Sequence, residues 1–278
     1  MSEELEKLYK IFRWVEDLDT PEGMKRLEKS VEKMHKILDH PSLQALLEEK
    51  DEITLIDICS GKGIGFVALA KAIMEKHDIK LDIVAVDLRR SALEKAAVYA
   101  EKILGLKIKT YVHDVTRIWE LGVRADIGLL YGFSTPHFNP YDMVMISAGM
   151  ASILGKKGVF LVEESDRIHN IYQVFGYKHV LPEHVDPDSV VLSIDGGRDP
   201  LKGVNRKLTI ELISGERVIN EVRLWDIAGT TSILWAFFRH VDFIPYRSAY
   251  SGMIVAWEPR GIDPRQYSRY PEVIGENK

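Results

Sequence analysis

Asp57, Gly61, Gly63 and Asp87 have the residue types and spacing of a nucleoside site. In Leu55-Ile56-Asp57-Ile58-Cys59-Ser60-Gly61-Lys62-Gly63-Ile64-Gly65 a short apolar run carries an acid near its end and breaks into a glycine-dense turn. A second apolar run, Leu81-Asp82-Ile83-Val84-Ala85-Val86, closes on Asp87. Glycines let a backbone approach a ligand closely. A carboxylate at the next strand tip can accept from both hydroxyls of a ribose.

A dinucleotide site would place a third glycine where Phe66 stands, and it would offer a helix N-terminus to a pyrophosphate. Asp57 beside the turn would repel that group and suits an ammonium or sulfonium centre instead. The residues therefore point to S-adenosylmethionine, a nucleoside with a cationic amino-acid tail. A nicotinamide oxidoreductase fits poorly, since no paired Tyr/Lys or His/Asp set accompanies the turn.

These residues need elements to hold them. Residues 1–50 are apolar at helical spacing (Leu5, Leu8, Ile11, Phe12 and Val15, then Leu27, Val31, Met34 and Leu38), and Thr20-Pro21 is a helix start. From 53 to 163, strands and helices alternate: strands at 53–58, 82–86, 107–112, 126–130 and 158–162, helices at 64–76, 91–104 and 141–154. Near-continuous apolar strands separated by helices imply a parallel sheet covered on both faces. Three helix-free strands follow at 189–195, 207–213 and 217–224, with Ser214-Gly215 as a hairpin turn. They predict an antiparallel arm over about 186–224. A helix at 226–240 and strands at 242–246 and 252–257 complete the pattern. The fold class is α/β: a doubly wound, mostly parallel sheet with an N-terminal helical cap and an antiparallel β-arm inserted before the last helix and strand pair. The division expected is a cap (1–50), a cofactor-binding domain (51–258) and a C-terminal tail (259–278).

On Ile56–Gly63, Val84–Leu88 and His113-Asp114-Val115 the chain resembles the class I S-adenosylmethionine-dependent methyltransferases. Its arm and terminal elements are similar in order to the small-molecule branch of that family. One departure is Cys59, where the family has glycine. The resemblance implies that Asp57, Cys59 and the Gly61–Gly63 backbone hold the methionine end of the cofactor. It gives Asp87 the ribose, Leu88 the adenine face, and Asp114 with Val115 the adenine edge. The loop at Tyr131 and Gly132 would pass close to the sulfonium.

Methyl transfer asks little of a protein beyond alignment and exclusion of water. A base is needed only where the acceptor must lose a proton. His137, in the loop after the fourth strand, has the right type for it. Arg198 and Arg206 on the arm could meet an anionic acceptor. Phe12 and Trp14 could line a lid; Trp225, Trp235, Phe237 and Phe238 read as helix packing, and Glu163-Glu164 as a solvated pair. Asn139-Pro140-Tyr141 is similar to an adenine methyltransferase motif but lies too far beyond its strand and lacks the second proline.

The net charge of −5 argues against an unshielded nucleic-acid surface. Cys59 is the single cysteine, so no intramolecular disulfide or thiolate metal cluster can form, and no metal is expected. The acidic start is unlike a signal peptide, and no apolar run is long enough to span a membrane. A cytoplasmic setting follows, and the abundance of Lys and Glu with scarce Gln leans towards a thermophile. The acceptor read from this pattern is a small molecule. RNA or protein acceptors stay open, because the Ser60-Gly61-Lys62-Gly63 form of the turn is similar to that of RNA-modifying relatives. A non-catalytic binding protein is the third reading. Acceptor identity and oligomeric state are not encoded in any motif.

Overall fold

A computed structural model describes residues 2–275. The cap is three helices: α1 (Ser2–Phe12), α2 (Pro21–Leu38) and α3 (Pro41–Glu49). Helix α1 ends where Arg13 takes a left-handed backbone (φ 49°), so Val15 falls outside the helix and is exposed. Helix α2 starts on Thr20, whose hydroxyl accepts from the Gly23 N–H, with Pro21 in the first turn.

Strands and helices then alternate: β1 (Glu52–Ile58), α4 (Ile64–Lys76), β2 (Lys80–Asp87), α5 (Arg90–Tyr99), β3 (Lys109–Val112), β4 (Ala125–Leu130), α6 (Pro140–Ile153) and β5 (Leu154–Ser165). A short helix, α7 (Arg167–His169), continued by a π-helical stretch (Asn170–Phe175), leads to the arm: β6 (Val180–Asp186), β7 (Ser189–Asp199), β8 (Val204–Glu211) and β9 (Arg217–Val222). Helix α8 (Ile227–Phe237) and strands β10 (Phe238–Pro245) and β11 (Ser251–Pro259) follow.

The main sheet has seven strands in the order β10-β11-β5-β4-β1-β2-β3. Strands β1 to β5 pair parallel with one another, while β11 is antiparallel to both β5 and β10. Strand order reverses between β1 and β4. The carboxyl ends of strands flanking such a reversal leave a crevice where ligands bind, and Asp57 pairs beside Leu129 there. The sheet's two faces bury separate apolar clusters, one under α2, α4 and α5, the other under α6 and α8.

The arm is a separate four-stranded antiparallel sheet, β6-β7-β8-β9. It begins at Val180, before the expected start, and has a strand more than the sequence suggested. The added strand β6 lies at the sheet's edge, where Pro182 costs no ladder hydrogen bond. Leu8 and Ile11 of α1 pack on Val191 and Val218 of the arm, so cap and arm form one roof over the crevice. Trp225 is buried, but Trp235 is 62% exposed on the outer face of α8 and does not pack as expected.

Candidate functional site

The glycine turn leaves β1 with Cys59 in a left-handed backbone (φ 57°), the strain a glycine there would avoid. The Ser60 N–H donates to the Val86 carbonyl at 3.0 Å, tying the turn to β2. Gly63 (φ 92°) caps α4, and Gly65 sits where a Cβ would stand 2.9 Å from both Asp57 Oδ2 and Tyr131 Cβ. That contact requires glycine and brings the tips of β1 and β4 against the start of α4.

Asp57 is 1% exposed. Its Oδ2 accepts from the Phe66 N–H at 3.0 Å, but Oδ1 has no partner among the described residues, nor does the buried Ser60 Oγ. Burial, and secondarily the charge of Asp87, pushes the Asp57 carboxyl well above the usual range. Asp87 is satisfied by contrast: Oδ2 accepts from the Gly61 N–H and Oδ1 from the Arg89 N–H, both at 2.8 Å. The buried Arg89 guanidinium binds both oxygens of Glu16 at 3.0 Å and lies 3.5 Å below the Tyr9 ring. The segment after α1 thus closes over this acid.

At the tip of β4 the Tyr131 hydroxyl donates to Ser30 Oγ at 2.8 Å, and the Gly132 N–H donates to Glu163 at 2.9 Å. Glu163 also binds Lys33 at 2.9 Å. Glu164 accepts from Thr135, Thr230 and Arg167. The two acids are 1% and 0% exposed, so they are not the solvated pair the sequence suggested. Strand β11 covers the end of β5, and each carboxylate is buried with its own donors. Among the described residues no group of three or more His, Cys, Asp or Glu is placed to hold a metal.

These pieces surround a cavity of about 590 Å³. Asp57, Cys59, Ser60, Gly61 and Gly65 form one end, and Tyr131, Gly132, Phe133 and His137 a side. The roof is Tyr9, Phe12, Trp14 and Glu16 with Glu183, Lys207 and Asn220 from the arm. His137 reaches into this space 6.3 Å from the rings of both Tyr9 and Trp14. The desolvating walls of the cavity, reinforced by the charges of Arg167 and Arg89, lower its pKa to about 4, although the ring itself is accessible from the open side of the cavity. Its imidazole is therefore neutral at pH 7. Cys59 is no nucleophile: burial first, then Asp87 and Asp57, push its thiol upward.

Of the residues singled out in the sequence, Asp57, Cys59, Gly61, Tyr131, Gly132 and His137 meet in this cavity, with Gly63 just behind the turn. Asp87 lies beneath Gly61, outside the lining. Leu88, Asp114 and Val115 are also outside it; Asp114 caps the turn after β3 by accepting from the Thr116 N–H at 2.9 Å, and Val115 is buried. Arg198 binds Asn205 at 2.9 Å and Arg206 faces Glu221 at 3.6 Å, and neither lines the cavity. Their neighbour Lys207 points inward because strand side chains alternate. Tyr9, Glu16, Arg26, Arg89, Arg167 and Lys207 had no local signature.

No family profile and no curated protein matches the chain. Solved structures do. A protein from Pyrococcus horikoshii OT3 is 16% identical, with a TM-score of 0.59 over 91% of this chain and 99% of that one. The CcbJ methyltransferase from Streptomyces caelestis is 12% identical, at 0.58 over 82% and 89%. CalS10, an amino pentose methyltransferase from Micromonospora echinaspora solved with S-adenosylmethionine bound, is 14% identical, at 0.54 over 84% and 91%. These likenesses establish the fold, the class I methyltransferase fold expected from the sequence.

Proposed function

We propose that the protein is an S-adenosylmethionine-dependent methyltransferase acting on a small-molecule acceptor. One observation carries this reading: the glycine turn and the arm enclose one cavity whose inner end holds unsatisfied polar atoms, Asp57 Oδ1 and Ser60 Oγ. Buried polar atoms without partners are costly, and a ligand is the usual partner at such a place. Their chemistry fits the cofactor. Asp57 would take its ammonium, and the Gly65 contact leaves no side chain to obstruct the approach. Asp87 keeps lone pairs for ribose hydroxyls, since each oxygen accepts a single backbone N–H at hydrogen-bonding distance. Tyr9 and Glu16 must swing aside for a nucleoside to reach it, with Leu88, Asp114 and Val115 further along the same edge.

When bound, the cofactor supplies an activated methyl group that the acceptor takes by in-line displacement. The chain positions the reactants and keeps water out. Aromatic rings of Tyr9, Phe12, Trp14 and Phe133 line the acceptor side, and the Asp57 carboxylate stands at the end suited to positive charge. His137, neutral at physiological pH, can accept a proton at its unprotonated ring nitrogen from an acceptor that must lose one. The volume lies within the range of small-molecule sites. The roof supports a small acceptor over an RNA or protein, which would need an open groove. Arg206 lies on the arm's outer side, where it would meet only an acceptor that extends past the roof, whereas Arg198 pairs with Asn205 on the face that carries Lys207, outside the cavity lining. The lone unpaired cysteine supports a reducing, cytoplasmic setting, and composition alone supports a thermophilic source. No helix among the described residues is long and apolar enough to cross a membrane.

Thermal unfolding with S-adenosylmethionine, S-adenosylhomocysteine or NAD tests the cofactor. The first two should raise the melting temperature and NAD should not. Labelled methyl transfer to small amines, phenols and tRNA then tests the acceptor class. Stabilisation without transfer to any of them would favour the non-catalytic reading, and absence of stabilisation would remove the cofactor reading altogether.

A further inference from the structure

The arm inverts the usual distribution of polarity across a sheet. An antiparallel sheet with one face on the core turns its polar side chains outward. Here the inward face, under α1 and the cavity, carries Ser193 paired with Thr209 and Lys207 paired with Asn220. The face turned away is apolar. Val180, Ile194, Leu208 and Ile219 stand side by side across all four strands, and Pro182, Leu192 and Ile210 form the next row. The ends of the first row are open to solvent, with Val180 49% and Ile219 67% exposed. Helix α1, which packs on the arm, lies on the other face. Charge enters the outer face near its β9 edge, at Arg206, Arg217 and Glu221. Arg217 has no carboxylate partner among the described residues, and Glu221 meets Lys202 and Arg206 only at 3.8 and 3.6 Å, beyond hydrogen-bond length.

An apolar sheet face with an unpaired cation and a loosely held anion on one edge strand is complementary to itself. When two copies stack face to face about a two-fold axis through the row of Ile219, β9 of each runs antiparallel to β9 of the other. Residues equally spaced on either side of Ile219 then meet. Arg217 falls opposite Glu221 of the partner subunit, and symmetry forms the same pair a second time. The apolar rows interdigitate between two sheets about 10 Å apart. With strands about 4.8 Å apart and same-face residues about 6.8 Å apart, the face spans roughly 500 Å² on each copy. Two copies together reach the ~1,000 Å² that a specific interface must bury. We propose that the outer face of the arm is the contact between two copies of this chain, sheet against sheet, with Arg217–Glu221 pairs at its rim. The inner face of the same strands roofs the cavity, so the contact backs that roof.

Sedimentation equilibrium of the full chain across a dilution series tests this. The unaltered protein should be a dimer that dissociates on dilution. Leu208→Glu, in the middle of the apolar face, should give a monomer with an unchanged circular dichroism spectrum. Arg217→Glu or Glu221→Arg alone sets like charges opposite each other twice per dimer and should weaken association by about tenfold or more. The double variant Arg217→Glu/Glu221→Arg restores opposite charges and should return the dissociation constant to within about threefold of the unaltered value. Both reversals lie at an exposed strand edge and spare the fold, so they decide the matter if Leu208→Glu does not fold. A monomer at every concentration would overturn the proposal. So would a dimer untouched by Leu208→Glu or by the single reversals, or a double variant no tighter than the single ones.

Discussion

The two halves of the crevice differ in how their polar groups are satisfied. Around β1 and β4, Asp57 Oδ1 and Ser60 Oγ lack partners and border open space. Around β2, both oxygens of Asp87 are engaged, and Arg89, Glu16 and Tyr9 stack over it. Both halves are built on a strand-end acid, yet one waits for a ligand and the other is closed by the protein's own side chains. The cap is the difference: α1 and the segment after it reach the β2 side with a charged pair, and reach the β4 side with aromatic rings and the Val15 carbonyl, which accepts from Arg26.

Several substitutions can break that contrast. His137→Gln should lower turnover most, by ~100-fold for an acceptor that must lose a proton, with affinity for S-adenosylhomocysteine unchanged. Because its pKa is lowered, the acid limb of the rate profile should fall below 6.5, by less than a fully enclosed imidazole would show because the ring is accessible. The same depression has a sign for stability. The unfolded chain binds that proton more readily, so the contribution is complete above the unfolded value and is lost as pH falls towards 4. Denaturation of the native chain and His137→Gln at pH 7 and pH 5 should show the native chain losing more.

Asp57→Asn should weaken S-adenosylhomocysteine by roughly 30-fold, since it removes a charge-assisted partner. The same change should raise the melting temperature of the free protein at pH 7. Burial disfavours the Asp57 carboxylate in the folded state, so its folded pKa lies above the unfolded one. Its contribution is fully present below the unfolded value and is lost as pH rises through the folded one. A simultaneous loss of binding and gain of stability would mark this half as built for a ligand.

On the covered half the expected sign is opposite. Glu16→Gln leaves Arg89 buried with a weaker partner and should cost about 2 kcal/mol in chemical denaturation, towards the low end for a broken buried pair because Glu16 is partly accessible. It should also speed ligand entry in stopped-flow binding. Arg206→Ala, on an exposed ion pair, should change stability by less than about 0.5 kcal/mol.

How much of this was legible depends on range. The glycine turn, Asp57 and Asp87 could be read because strand, turn and strand lie within a continuous stretch and each residue's role follows from its neighbours. The alternating elements of the main sheet were legible for the same reason. The edge strand β6 was not, because Pro182, Glu183 and His184 mask its period. Glu163 and Glu164 looked solvated because adjacent acids usually are; their burial depends on Lys33, Thr230 and β11, all remote in sequence. Tyr9, Glu16 and Arg26 join the site through tertiary packing alone, which local periodicity does not record.

The measurement that bears most directly on the contrast is hydrogen exchange across residues 2–20 and 57–66, with and without S-adenosylhomocysteine. The account predicts that the ligand slows exchange at the glycine turn and alters it in the cap segment that covers Asp87. Unchanged exchange in both stretches at a saturating concentration of that compound would contradict it.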